Sequence, residues 1–261
     1  MADKLAVITG ASTGIGFELA HLAADDGYNL VVVADEPLIQ AAAADFRRDG
    51  IEVLAVEADL ATIDGVDKLL AAAGGRPIDV LCANAGTGTG GAFLDQPVAN
   101  WRHAIDTNVT GTIYLLQKVL AQMVQRSSGK VLVTGSIAGY IPGSFNAVYN
   151  ATKAFIDNFT DALRDELKDH SGVTLTTLKP GATDTEFFAR AGMLDTQVGQ
   201  DENKDDPAKV ARDGWTAMIE GKGSITSGWY NKLQVAAAGV APASVMARMH
   251  RKMAEPGRGA D

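Results

Sequence analysis

The stretch KLAVITGASTGIG, Lys4 to Gly16, decides the fold of this chain. Its first half, Lys4–Thr9, is a short apolar run, which is how a strand covered on both faces reads. Its second half places Gly10, Gly14 and Gly16 at a tight turn and at the start of a helix. Glycine there permits positive φ and lets backbone approach a pyrophosphate closely. A helix that opens at this point offers free N–H groups and the positive end of its dipole. Ser12, Thr13 and Ile15 complete the loop. The spacing is G-x-x-x-G-x-G rather than the commoner G-x-G-x-x-G, so the context of strand before and helix after carries the reading. That reading is a dinucleotide cradle; the alternative is an ordinary strand–helix turn.

Further along, apolar runs and helical patterns alternate. Strands are expected at Lys4–Thr9, Asn29–Ala34, Glu52–Glu57, Val80–Ala83, Lys130–Gly135 and Thr174–Lys179, each apolar on both faces. Helices are expected at Gly14–Asp26, Leu38–Asp49, Gly65–Ala73, Trp101–Arg126, Ala147–Asp169 and Pro207–Glu220. The alternation predicts a single Rossmann-like α/β domain over residues 1–261, a doubly wound parallel sheet with helices on both faces. The irregular stretch 186–206 follows a strand at the sheet edge where ligands bind, and is expected to be a lid. From Ser224 a short strand, a small-residue segment and an amphipathic helix near Pro242–Met253 are expected, making a helical tail over about 229–261. Met246, Met249, His250 and Met253 recur there at helical spacing, a pattern that usually means packing.

The chain has 261 residues, 46% of them hydrophobic and 21% charged, which suits a soluble globular fold. A net charge of −9 argues against a nucleic-acid partner. No apolar run approaches the ~20 residues of a membrane span, and the N-terminus does not read as a signal peptide. Cys82, the only cysteine, lies in an apolar run and excludes an internal disulfide framework. A cytoplasmic protein is expected, and no metal site.

Asp35 ends the second predicted strand, nineteen residues after Gly16. A carboxylate there accepts both hydroxyls of an adenosine ribose and repels a 2′-phosphate. Glu36 adds a second negative charge, and Thr13 is no basic residue to offset it, so NAD is favoured over NADP. Asp59-Leu60 and Asn84-Ala85-Gly86 follow the third and fourth strands, at the carboxyl edge of such a sheet. Asp59 suits the adenine amino group, and Asn84–Gly86 gives a close-approaching backbone.

Tyr149 and Lys153 stand four residues apart in YNATKAF, with Ser136 thirteen residues upstream. Four residues is one helical turn, so phenol and ammonium share a face. A phenol titrates near ~10, and a cation beside it favours the phenolate. Bringing it near 7 takes about 3 units, roughly 4 kcal/mol. The same spacing also describes a solvated helix face; the glycine loop upstream sets it apart.

Together these stretches resemble the short-chain dehydrogenases/reductases of the compact single-domain type. The match runs from TGASTGIG through DL, NAG, the TNV around Asn108, GSIAG at Ser136, YNATK and KPGATDT, roughly residues 4–190. The resemblance implies that Ser136 hydrogen-bonds the substrate oxygen and that Tyr149 gives or takes its proton. It gives Lys153 the nicotinamide ribose and the lowering of the Tyr149 pKa. Asn108 would hold a water in a relay to Lys153, or satisfy a helix kink, or both. Pro180-Gly181 would lie against the nicotinamide, Thr183 would bind the carboxamide through its backbone, and the Thr185 hydroxyl would assist. Many relatives end in a Val-Asp-Gly-Gly tail that packs tetramers, and this chain has none. A homodimer through Trp101–Arg126 and Ala147–Asp169 is expected, using Ile113, Leu116, Leu120, Phe155, Phe159 and Leu163, with a tetramer left open.

The expected activity is hydride transfer between NAD(H) and a small-molecule secondary alcohol or ketone. Ile137, Ala138, Tyr140, Ile141, Phe145, Phe187, Phe188 and Met193 are expected to line an apolar substrate pocket beside Ser136. Two other readings are a non-catalytic NAD-binding sensor, which needs neither Tyr149 nor Lys153, and an epimerase or dehydratase, which usually carries a longer substrate domain.

Overall fold

A computed structural model describes residues 4–259. The expected extents 1–261 and 229–261 include residues 1–3, 260 and 261, which lie outside the described residues. The chain runs β1 (Leu5–Thr9), α1 (Gly14–Asp25), β2 (Asn29–Ala34), α2 (Leu38–Asp45), β3 (Val53–Glu57), α3 (Ile63–Ala72) and β4 (Val80–Ala83). It continues through α4 (Val98–Ile105), a π-helical turn (Asp106–Gly111), α5 (Thr112–Gln125), β5 (Gly129–Thr134), α6 (Ala147–Glu166) and β6 (Val173–Lys179). Then come α7 (Phe187–Arg190), α8 (Gln197–Gln200), α9 (Pro207–Ile219), β7 (Ser224–Thr226), α10 (Trp229–Ala238) and α11 (Ala243–Ala254).

The strands form one seven-stranded sheet, ordered β3-β2-β1-β4-β5-β6-β7, and every pair is parallel. Register explains why the central strands are apolar throughout. Val31, Val7, Leu81, Val131 and Leu175 pair in one row facing a core closed by Leu69, Leu116 and Ile156. The neighbouring row, Val32, Ile8, Cys82 and Leu132, faces a second core closed by Leu19, Ile39 and Trp215. Each strand thus feeds two cores, as a sheet covered by helices on both faces requires. The strand order reverses between β1 and β4, which opens a crevice at their carboxyl ends. Thr9 Oγ1 fixes that crevice by accepting from the N–H groups of Asn84 (2.9 Å) and Ala85 (2.8 Å).

Some expectations need correction. The third strand is not buried on both faces: β3 is an edge strand and Leu54 is 44% exposed. The second helix stops at Asp45, where Arg48 takes the Asp45 and Arg47 carbonyls. The long helix Trp101–Arg126 starts earlier, at Val98, and is interrupted by the π-turn around Asn108. The sixth helix ends at Glu166, and the small-residue part of the tail is helix α10. Segment 186–206 carries α7 and α8, and Phe188, Ala191 and Met193 pack there against Ala254 of α11. Of the residues expected at a dimer interface, Leu116 and Leu120 are buried in the chain's own core, whereas Phe155 is 44% exposed and stacks on Phe159. Among the described residues no helix is long and apolar enough to cross a membrane.

Candidate active site

The glycine loop is built around residues that tolerate no side chain. Gly14 has φ +59°, and a Cβ there would stand 2.8 Å from the Thr185 methyl group. A Cβ on Gly16 would lie 2.1 Å from the Gly10 carbonyl oxygen, so nothing larger fits beneath the turn. Thr13 precedes α1 in extended conformation, no side chain among the described residues caps the helix, and Thr13, Gly14 and Ile15 line the cleft. Asp35 lines the same cleft at the end of β2.

The neighbouring Glu36 departs from expectation. It does not stand as a free second negative charge. Ser12 donates to its carboxylate at 2.5 Å and Arg190, from α7, at 2.7 Å. These bonds hold Glu36 below the usual carboxylate range, with the Ser12 hydrogen bond the largest cause. Arg190 also reaches Thr13 Oγ1 at 3.5 Å. The Asn84 side chain is structural: it donates to the Thr9 carbonyl (3.1 Å) and accepts from Thr134 (3.0 Å), tying the ends of β1, β4 and β5. Asp59 spends one carboxylate oxygen on the Ala61 N–H, at 2.9 Å.

Opposite this wall, β5 delivers Ser136 and α6 delivers Tyr149 and Lys153. Ser136 Oγ accepts from the Ala138 N–H at 3.1 Å and faces the Pro180 carbonyl at 3.4 Å. Lys153 is 5% exposed and donates to the Thr134 carbonyl at 2.7 Å. Its Nζ lies 5.8 Å from the centre of the Tyr149 ring. Burial pulls the ammonium down to about 8, against the upward pull of Asp157. Burial pushes the Tyr149 phenol up to about 12, the Ser136 hydroxyl lowering it and Asp157 raising it. Phe187 packs on the Tyr149 ring with centroids 4.9 Å apart. A Cβ on Gly86 would stand 3.2 Å from Asn108 Oδ1 and 3.4 Å from Lys153 Nζ, so the NAG turn packs closely on both side chains.

The chain matches the model of the short chain dehydrogenase family over residues 4–193. It belongs to that family. An uncharacterized oxidoreductase of Staphylococcus aureus is 33% identical over 194 residues, 72% of this chain and 82% of that protein. A short-chain dehydrogenase from Sphingobium yanoikuyae, solved in complex with NADPH, superposes with a TM-score of 0.80 at 28% identity, covering 91% of this chain and 94% of that one. The bulky-bulky ketone specific alcohol dehydrogenase from Comamonas testosteroni gives a TM-score of 0.75 at 25% identity, with 91% and 93% covered. The protein is therefore an oxidoreductase of the short chain dehydrogenase family.

In this oxidoreductase one cavity of about 870 Å³ gathers nearly all the residues singled out from the sequence. Gly10, Ser12, Thr13, Gly14, Ile15, Asp35, Asp59, Leu60, Asn84, Ala85 and Gly86 line it, with Ser136, Tyr149, Lys153, Pro180, Gly181, Thr183 and Thr185. Ala138, Phe187, Phe188 and Met193 line its apolar part. Gly16 lies beneath the turn rather than in the cavity wall. Asn108 is also outside: its amide makes two hydrogen bonds to the Thr87 backbone and one to Thr152, bracing the π-turn against the loop after β4. Phe145 packs beneath Arg251 with φ +64°, in the cluster holding the 186–206 segment to α11. Tyr140 turns away to accept from Lys179 at 2.6 Å.

Several cavity residues were not anticipated. Trp229, Met246, Met249, His250 and Met253 close the apolar end from α10 and α11. The methionine stripe, read from sequence as packing, is a wall of the pocket. Burial holds the His250 imidazole below its ordinary value, and Nδ1 lies 2.9 Å from the Ser144 carbonyl.

Proposed function

We propose that this oxidoreductase transfers a hydride between NAD(H) and an apolar secondary alcohol or its ketone, with Tyr149 as the general acid or base. The observation that carries it is the convergence of Ser136, Tyr149 and Lys153 on the same cavity as the uncapped glycine turn. The turn, the glycine at position 86 and Asp35 fit a dinucleotide, which when bound supplies or accepts the hydride.

The protein's own residues then have separable tasks. Ser136 donates a hydrogen bond to the substrate oxygen and aligns it with Tyr149. In the reducing direction the Tyr149 hydroxyl gives its proton to the carbonyl oxygen as that oxygen gains negative charge. In the oxidising direction the phenolate takes the hydroxyl proton back. Lys153 binds the ribose and stabilises the phenolate by its charge. Asn108 acts through the π-turn; both its amide hydrogens are engaged, so a water in the relay would be held by its Oδ1 or by backbone.

NAD is the preferred dinucleotide in this reading, because Asp35 lines the cavity with no ion-pair partner among the described residues, while Arg190 is paired with Glu36. The apolar wall of Phe187, Phe188, Met193 and the α11 methionines favours a hydrophobic ketone over a polyol. The name of the Comamonas enzyme is consistent with that choice. We assign the 186–206 segment the part of a lid, and exposed Phe155 a place in a homodimer. A monomer by light scattering at micromolar concentration would remove the second assignment.

A steady-state panel of aliphatic, aromatic and polyol substrates, each with NAD and NADP, tests the proposal. It predicts turnover of apolar secondary alcohols with NAD, and a relaxed cofactor preference in Asp35→Ala. A strong polyol preference, or a large NADP preference in the unmodified protein, contradicts it.

A further inference from the structure

Behind Lys153 lies a buried charge pair, Asp157 and Lys179, that the proposed reaction does not use. Lys153, Asp157 and Lys179 are each less than a tenth exposed. Asp157 sits one turn beyond Lys153 on α6, on the same face. The GSIAG loop is shaped around its carboxylate. A Cβ on Gly135 would stand 2.0 Å from Asp157 Oδ1, and one on Gly139 would stand 3.1 Å from Oδ2. Those glycines flank Ser136. Neither carboxylate oxygen closes a hydrogen bond, although the Ser136 N–H faces it. Its ionic partner is Lys179, at 4.0 Å, whose own Nζ bonds to the Tyr140 hydroxyl. A carboxylate this buried, held by charge and not by hydrogen bonds, is a costly arrangement for packing alone.

We propose that Asp157 is a positioning residue: its carboxylate, wedged into the Ser136 loop and paired with Lys179, is a fixed negative charge that sets the pH range over which Tyr149 and Lys153 exchange their proton. The inference rests on the oxidoreductase reading above. The groups facing Asp157 are Lys153 and Asp161 on α6 and Lys179 at the end of β6, with Tyr140 beyond Lys179. Burial lifts Asp157 to about 6, with Lys179 and then Lys153 opposing. It is therefore ionised at neutral pH. A negative charge there disfavours the phenolate and favours the ammonium, so both groups keep their proton to higher pH. Removing the charge moves proton loss to lower pH.

The test compares the unmodified protein, Asp157→Asn and the double variant Asp157→Asn/Lys179→Met. Asparagine keeps the shape that fills the loop. The double variant also removes Lys179, the ionic partner that Asp157→Asn would leave buried without its carboxylate, so it remains informative should the single variant fold poorly. The pH profile of alcohol oxidation should move acidward by about one unit in Asp157→Asn. The double variant should fall between it and the unmodified protein, because the residual Lys179 charge is gone. A slower enzyme with an unmoved profile would mean a purely structural role and overturn the proposal. A second readout needs no turnover: the tyrosinate absorbance of Tyr149, taken as the difference from Tyr149→Phe. If no alcohol or ketone reacts but this midpoint still falls in the Asp157 variants, only the oxidoreductase reading is lost. An unmoved midpoint disposes of the role given to Asp157.

Discussion

Alcohol oxidation should be strongly pH-dependent, in a way the site geometry sets. To act as base, the Tyr149–Lys153 pair must first lose one proton. Tyr149 alone would release it only near about 12. At pH 7 that is a deficit of about 5 units, roughly 7 kcal/mol, too large for an isolated phenol to serve. Lys153, pulled down to about 8 by burial, offers the lower exit. The first proton to leave the two groups is therefore that of Lys153, with a midpoint at about 8, and its Nζ stands 5.8 Å from the centre of the Tyr149 ring. Below that midpoint kcat/KM for oxidation should fall about tenfold per pH unit. Carbonyl reduction needs the proton in place and should be flat over the same acid range. The assay is initial velocity from pH 5 to 9, in both directions, at fixed ionic strength. Oxidation that is constant from pH 5 to 8, or that slows as pH rises, would rule out the Tyr149–Lys153 pair as the base.

Three further outcomes follow from particular contacts. Gly16→Ala places a methyl group against the Gly10 carbonyl, where only 2.1 Å is available, so the loop must shift. It should cost about 1–3 kcal/mol in thermal unfolding and abolish NADH binding followed by fluorescence. Trp215→Phe removes a 2.8 Å hydrogen bond to Asp26 on the far side of the sheet. It should lower stability by about 1–2 kcal/mol and leave kcat/KM unchanged. Met246→Ala shortens a buried wall of the apolar end. It should reduce kcat/KM for apolar ketones about tenfold while the KM for NADH stays the same.

Most of the sheet is legible in the sequence because buried parallel strands read as runs rich in Val, Leu and Ile, as β1, β2, β4 and β5 do, while β6 mixes Val173, Leu175 and Leu178 with Thr174, Thr176 and Thr177. The edge strand β3 misleads, since Val53–Glu57 is as apolar as its neighbours while one side faces solvent. The π-turn at Asn108 is harder to see: the interruption leaves the apolar periodicity of α4 and α5 nearly intact. Motif residues are legible because their chemistry is local, a glycine where φ is positive or a lysine one turn from a tyrosine. The contacts that the sequence does not show are made across long sequence distances. Arg190 meets Glu36 from 154 residues away. Asp157 looks like another polar residue on a helix until Gly135, Gly139 and Lys179 are seen to enclose it. The α11 methionines read as packing because a pocket wall and a core face have the same periodicity.

In the proposed reaction Tyr149 is the proton donor and acceptor of a dinucleotide-dependent oxidoreductase, with Lys153 and Ser136 arranged around it. Tyr149→Phe removes one hydroxyl and leaves the ring packed on Phe187, 4.9 Å between centroids. Turnover of the best alcohol or ketone in the panel should fall at least about a hundredfold, the lower end of what a positioned general acid or base contributes. NADH binding by fluorescence titration should be nearly unchanged. Substantial residual turnover in Tyr149→Phe, with the dinucleotide still bound, would contradict the account.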